Sequence, residues 1–207
     1  MNNRIISKLI EINAIKLNPA NPFTWASGWH SPIYCDNRRV LSYPDARKIV
    51  CAGFIEIITK NFANIDVIAG VATGAIAHGA LVAEALGLPF VYVRSEAKKH
   101  GLENLIEGDI KVNQRVVVIE DLVSTGLSSL KAVDALRNAN TNVLGMVAIF
   151  TYGFDVAKQN FDQHNLPLYT LANYHELIDY ALSINMIDST QLEVLKSWRQ
   201  NPQEWGK

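Results

Sequence analysis

Apolar residues gather along the chain in short unbroken runs, at Val67 to Val71, Phe90 to Val93, Arg115 to Ile119, Val143 to Phe150 and Leu168 to Leu171. Continuous β-branched runs, rather than alternating ones, predict strands buried on both faces. Between several of them the period changes. Ala75 to Leu86 carries Ile76, Leu81, Val82 and Leu86, and Ser128 to Asn138 places Leu130, Val133 and Leu136 on one helical face. Strand, helix, strand in alternation predicts an α/β fold, a central parallel sheet flanked by helices. Ile5, Leu9 and Ile12 mark an amphipathic helix, another helix begins near Pro44 and Asp45, and the C-terminal stretch is helical again. From Pro22 to Arg39 the chain is aromatic and irregular. These flanking parts are too short for a second domain and are expected to cap the sheet where its strands end.

Composition narrows the class. Of 207 residues, 49% are hydrophobic and 19% charged, enough apolar surface for one substantial core, which excludes global disorder. Lys plus Arg (19) balances Asp plus Glu (20), so no net field draws the chain to nucleic acid or to an anionic membrane. Any bound anion must be gripped locally. The apolar runs are strand-sized and the N-terminal residues lack a signal-peptide core, so the expected setting is cytoplasmic. Cys35 and Cys51 are expected to be free thiols, the first packing and the second set among apolar helix residues.

Two connections carry candidate chemistry. Arg94 to Gln114 is long, charged and without a convincing element of its own, which suits a functional lid, and it holds Arg94, Lys98, Lys99 and His100. The other follows the strand ending at Ile119 and reads Glu120, Asp121, Leu122, Val123, Ser124, Thr125, Gly126, Leu127, Ser128, after which a helix starts. Two carboxylates at the carboxyl end of a parallel strand stand where open α/β sheets bind ligands. The hydroxyls, the glycine and the helix N-terminus make an anion cradle. Acids beside such a cradle fit a phosphorylated sugar. A lone acid or serine here would be only a solvated loop residue or a helix cap; the whole arrangement is more specific. His30, His78, His164 and His175 lack metal-ligand spacing and are read as surface or core histidines, and no protein metal site is expected.

The Glu120 to Ser128 segment resembles the phosphoribosyl diphosphate (PRPP) binding motif of type I phosphoribosyltransferases. Gly70 to Gly79 looks like that family's pyrophosphate loop, centred on Ala72, Thr73 and Gly74. Arg94 to Gly108 (RSEAKKHGLENLIEG) and Phe23 to Arg38 (FTWASGWHSPIYCDNR) look like the mobile catalytic loop and the base-side segment of the family's orotate-using members. The resemblance implies one phosphoribosyltransferase domain over residues 1–207, with residues 1–40 contributing to a base-side hood. It implies transfer of the 5-phosphoribosyl group from PRPP to orotate, giving orotidine 5'-monophosphate and pyrophosphate in pyrimidine synthesis.

On that resemblance Arg94, Lys98, Lys99, His100 and Asp121 are catalytic, Glu120 to Ser128 with Arg94, Lys98 and His100 hold PRPP, and Ser124, Tyr34 and Arg38 meet orotate. Mg2+ enters bound mainly through PRPP, and the loop serves the neighbouring subunit of a homodimer. The chain departs from some members at Ala26 and Ser95, where they carry lysine, and in the Thr151 to Asp155 turn, where others carry arginine. These departures leave the partner of the orotate carboxylate open, with Arg38 as the expectation. The competing readings are a purine phosphoribosyltransferase and a PRPP-sensing regulator without chemistry. The latter usually adds a basic DNA-binding module, which this N-terminal segment is too short and too neutral to form.

Overall fold

The computed structural model describes residues 2–25, 28–95 and 105–205. Its centre is a six-stranded sheet in the order β10 (Leu168–Asn173), β9 (Asn142–Thr151), β8 (Arg115–Val123), β5 (Val67–Val71), β6 (Phe90–Val93), β7 (Ile106–Glu107). All neighbours are parallel except β6 and β7. The five apolar runs are the five parallel strands, because only a strand covered on both faces can bury every side chain of a Val/Ile-rich run.

The pleat sorts those side chains onto two layers. Ile68, Val117, Ile119, Val147 and Ile149 join one core with residues of α1 (Asn2–Glu11), α2 (Pro44–Asn61), α3 (Ile76–Leu86), α6 (Tyr174–Ser183) and α7 (Ser189–Gln200). Val67, Ala69, Val116, Val118, Met146 and Ala148 join a second core with α4 (Leu127–Asn138) and α5 (Asp155–Gln163). Among the described residues, no helix is long and apolar enough to cross a membrane.

Three sequence expectations need correction. The link after Arg94 contains β7, a two-residue antiparallel edge strand whose Ile106 and Glu107 pair with Val93 and Tyr92; so short a segment has no periodicity to read. Strand β8 runs on through Val123, so Glu120 to Val123 are strand and not loop. The partner strand β9 is long enough to pair with them, Glu120 opposite Ala148 and Val123 opposite Thr151. The irregular aromatic segment holds β2 (Phe23–Thr24), β3 (His30–Ser31) and β4 (Ile33–Cys35); β2 pairs with β3, and β4 pairs with β1 (Ile15–Leu17). A 3-10 turn, Asn37–Ser42, then leads into α2.

At the opposite end of the sheet from the strand carboxyl termini, Asp66 clamps the start of β8. Its carboxylate accepts the Arg115 main-chain N–H at 2.8 Å and the guanidinium Nε and Nη2 at 2.9 Å each. The guanidinium holds the Asp66 carboxyl down from its ordinary value of 3.8 to about 2. A carboxyl depressed in the folded state adds stability above its ordinary pKa and loses it as pH falls through the folded value. The wild type is therefore expected to lose more stability than Asp66→Asn between pH 4 and pH 2 in urea unfolding. Equal losses would contradict the clamp.

Candidate active site

The carboxyl end of β8 places two adjacent acids on opposite faces of the sheet, as the strand repeat requires. Glu120 turns toward α4 and is 5% exposed. Its Oε1 accepts the Asp121 N–H at 2.8 Å and its Oε2 accepts the Ser129 hydroxyl at 2.7 Å. Burial first, then the neighbouring Asp121 charge, pushes its carboxyl well above the usual range, with Ser129 pulling the other way. Asp121 turns toward the loop between β5 and α3. The Asn37 side-chain amide donates to the Asp121 carbonyl at 2.6 Å, fixing its main chain.

That loop must come very close to β8. A Cβ on Gly74 would lie 2.6 Å from Asp121 Oδ1 and nearer still to Oδ2, so only glycine lets the carboxylate rest on the loop. Farther along, Gly126 takes φ +82° at the N-cap of α4, and a Cβ there would lie 2.7 Å from the Phe161 ring. The turn is thus sharp, and α4 begins directly beside the acids.

Two cavities open at this edge. One, of about 780 Å³, is lined by Ala72, Thr73 and Gly74, by Glu120, Asp121 and Ser128, and by Arg38 and Arg94. The other, of about 490 Å³, is lined by Trp25, Trp29, Tyr34 and Tyr152 with Ser124 and Thr125. Cys35 and Leu122 line both, so the cavities adjoin. The first is suited to a charged sugar phosphate. The second, flat-walled and aromatic with a few hydroxyls, suits a planar ring.

The aromatic cavity is held from behind by α7. Trp198 is fully buried against Trp25, Tyr152, Phe154 and Tyr174, with ring centroids 5.4–5.8 Å apart, and its indole N–H donates to the His30 carbonyl at 3.1 Å. Arg199 donates to the Tyr152 carbonyl at 3.3 Å and to the Gly153 carbonyl. The last helix and the N-terminal hairpin therefore form one hood.

The structure gathers most of the sequence candidates and divides them. Ala72, Thr73, Gly74, Arg94, Glu120, Asp121, Leu122 and Ser128 line the larger cavity. Ser124, Thr125 and Tyr34 line the aromatic one. Arg38 stands in the larger cavity, paired with Asp36 at 2.7 Å, and not in the aromatic cavity. Val123 is wholly buried, its carbonyl accepting from Thr151 and Tyr152; Leu127 is 57% exposed. Arg94 bonds Glu107 at 3.3 Å, and its main-chain N–H donates to Leu105 at 2.8 Å. Lys98, Lys99 and His100 lie outside the described residues, but Ser95 and Leu105, on either side of that segment, both line the larger cavity.

Sequence reasoning missed Ser129, Asn37, Tyr152 and Trp198. Asn37 and Trp198 act from distant parts of the chain. Ser129 had a signal, since it follows the motif by one residue on the helix face that returns to Glu120.

The chain is similar to known proteins in both sequence and fold. Residues 41–175 match the family model of the phosphoribosyl transferase domain. The chain is 57% identical over 202 residues to the orotate phosphoribosyltransferase of Porphyromonas gingivalis, covering 98% of this chain and 96% of that one. It is 52% identical over 204 residues to the orotate phosphoribosyltransferase of Listeria innocua, covering 99% and 98%. The crystal structure of orotate phosphoribosyltransferase from Aeropyrum pernix superposes with a TM-score of 0.77 at 26% identity, over 89% of this chain and 99% of that one.

The contact between Gly74 and Asp121 generates a test. Gly74→Ala is expected to push the carboxylate off its seat and raise KM for PRPP by about tenfold or more, equivalent to about 1.4 kcal/mol. The unfolding midpoint should stay close to that of the wild type, because the displaced group stands at the rim of a cavity. An unchanged KM would show that this contact does not set the Asp121 position.

Proposed function

This chain belongs to the orotate phosphoribosyltransferase family, and we propose that its two adjoining cavities divide the reaction between them. The enzyme transfers the 5-phosphoribosyl group of PRPP to orotate, giving orotidine 5'-monophosphate and pyrophosphate in pyrimidine nucleotide synthesis. The larger cavity takes PRPP as its Mg2+ complex, the ion travelling on the diphosphate oxygens. Main-chain groups of Ala72 to Gly74 face the diphosphate, Asp121 accepts from the ribose hydroxyls, and the turn from Ser124 to Ser128 receives the 5'-phosphate at the start of α4. Orotate lies between the aromatic walls of the second cavity, with Ser124 and Thr125 at its edge. The observation that carries this reading is the junction at Cys35 and Leu122, where one cavity opens into the other.

Breaking the bond between C1 of the ribose and pyrophosphate builds positive charge on the sugar and negative charge on the leaving group, as in other glycosyl transfers. Arg94 lies at the cavity wall to meet that negative charge, and Lys98, Lys99 and His100 supply further positive charge for the leaving group. Orotate is itself an anion, so no protein nucleophile is needed. Glu120, buried and bonded to Ser129, acts differently from Asp121. It holds the start of α4 against β8 and so fixes the phosphate cradle relative to the ribose acceptor.

Incubation with PRPP and Mg2+ should release pyrophosphate with orotate and not with adenine, hypoxanthine or uracil. Turnover with a purine would make the enzyme a purine phosphoribosyltransferase, and PRPP binding without turnover of any base would make it a sensor. The loop serves the partner's site in a homodimer on this reading. Mixing inactive Lys98→Ala with inactive Asp121→Asn should then restore about a quarter of full activity, since half of random dimers are mixed and each has one intact site. No recovery after verified subunit exchange would place the loop over its own site or refute the dimer.

A further inference from the structure

The aromatic cavity has walls for a flat ring and none for an anion: no described residue that lines it carries a charge. Orotate has a carboxylate, and taking that group out of water with no cation near it is costly. Cations reach the borders of the cavity from two sides. On the side of Cys35 and Leu122, the larger cavity holds Arg38, Arg94 and Lys131. These face the phosphates of PRPP, and the two arginines are already paired, Arg38 with Asp36 at 2.7 Å and Arg94 with Glu107 at 3.3 Å.

On the other side, Trp29 and Thr125 line both the aromatic cavity and a third cavity of about 310 Å³. Arg199 is the one cation among the described residues that line this third space. Its position is fixed by α7. Trp198 turns into the core, and the next side chain comes round the helix to the turn after β9. There the Arg199 Nε donates to the Tyr152 carbonyl at 3.3 Å and its Nη2 donates to the Gly153 carbonyl. Tyr152 is itself a wall of the aromatic cavity, so the charge is tied to the main chain of that wall.

The charge is also little offset. The nearest acid, Asp155, is 3.8 Å from Nη2 with its side chain 91% exposed, whereas the Arg199 side chain is 21% exposed. An ion pair so open to water is weak, and the guanidinium has donors beyond the two used on the carbonyls. Apolar rings screen its field less than water would.

We propose that Arg199 determines base specificity: held on the Tyr152–Gly153 turn, its guanidinium supplies the positive charge that makes the neutral aromatic cavity prefer a pyrimidine bearing a carboxylate. The proposal rests on the placement of orotate given above and adds the charge that selects it. Arg199 is a positioning residue, acting through the turn and the field behind it.

Orotidine 5'-monophosphate and uridine 5'-monophosphate differ only in the carboxylate, so the ratio of their dissociation constants isolates that group. Titration calorimetry at low ionic strength should show the wild type favouring orotidine 5'-monophosphate by about tenfold or more. Arg199→Gln should bring the ratio to within about twofold of one, and Arg199→Lys, which keeps the charge, should retain most of the preference. Loss of packing alone weakens both nucleotides alike. An unchanged ratio in Arg199→Gln therefore overturns the proposal.

If Arg199→Gln does not fold, Asp155→Asn gives the reading from a side chain already in solvent. Removing the acid beside Arg199 should raise the preference for orotidine 5'-monophosphate about twofold, and an unchanged ratio overturns the proposal. A wild-type preference that the variants keep intact defeats the role of Arg199 alone. A wild type that does not distinguish the two nucleotides, or binds neither, defeats the reading of the aromatic cavity as the orotate site with it.

Discussion

The Asp121 carboxylate rests on the Cα of Gly74, with no room for a methyl group between them. That contact joins the end of β8 to the loop after β5, and the rest of the site is arranged around it. Because the strands are parallel, their carboxyl ends meet at one edge, and the loops that follow them converge there. The same pleat that sends Asp121 to the loop sends Glu120 the other way, into the helix layer, where Ser129 holds it. Two neighbouring acids thus have different environments. Both line the larger cavity, but Glu120 is buried and pushed toward its neutral form while Asp121 is half-buried.

This division gives the acids separate work. A carboxyl that is buried and bonded on both oxygens is a fastener, and Glu120 fastens the first turn of α4 to the sheet. A carboxylate at a cavity wall with a fixed main chain is an acceptor, and Asn37 and Gly74 keep Asp121 in that place. The aromatic cavity is assembled on a different principle. Its walls are rings from the N-terminal hairpin and from the end of β9, locked by Trp198 at the far end of the chain. The cavity offers flat apolar surfaces, and the stiffness of its walls comes from interlocked aromatic packing.

The five apolar runs, the two crossover helices and the acid-to-glycine turn were legible in the sequence because each is local. A Val/Ile run has only one comfortable setting, and a strand followed by hydroxyls, glycine and a helix start makes an anion cradle from consecutive residues. The resemblance to phosphoribosyltransferases rested on such contiguous segments, and so did the expectation of PRPP and orotate as substrates. Ala72 to Gly74, Asp121 and Ser128 were read as residues of one site through that resemblance, which rests on the order of the motifs along the chain.

What the tertiary structure alone decided is where residues far apart in the chain meet. Periodicity reports which face a residue shares with its near neighbours and says nothing of what packs on that face. Hence Glu120 and Asp121 read as a pair but part across the pleat, and Arg38, read toward the base, stands in the neighbouring cavity beside Asp36. Trp198 reads as one more apolar position on a terminal helix, yet 168 residues separate it from the His30 carbonyl it holds. His78 reads as a core or surface histidine. Only the folded chain buries its ring with Nε2 unpartnered, because that depends on what packs against the first turn of α3 and not on the residues beside it in sequence.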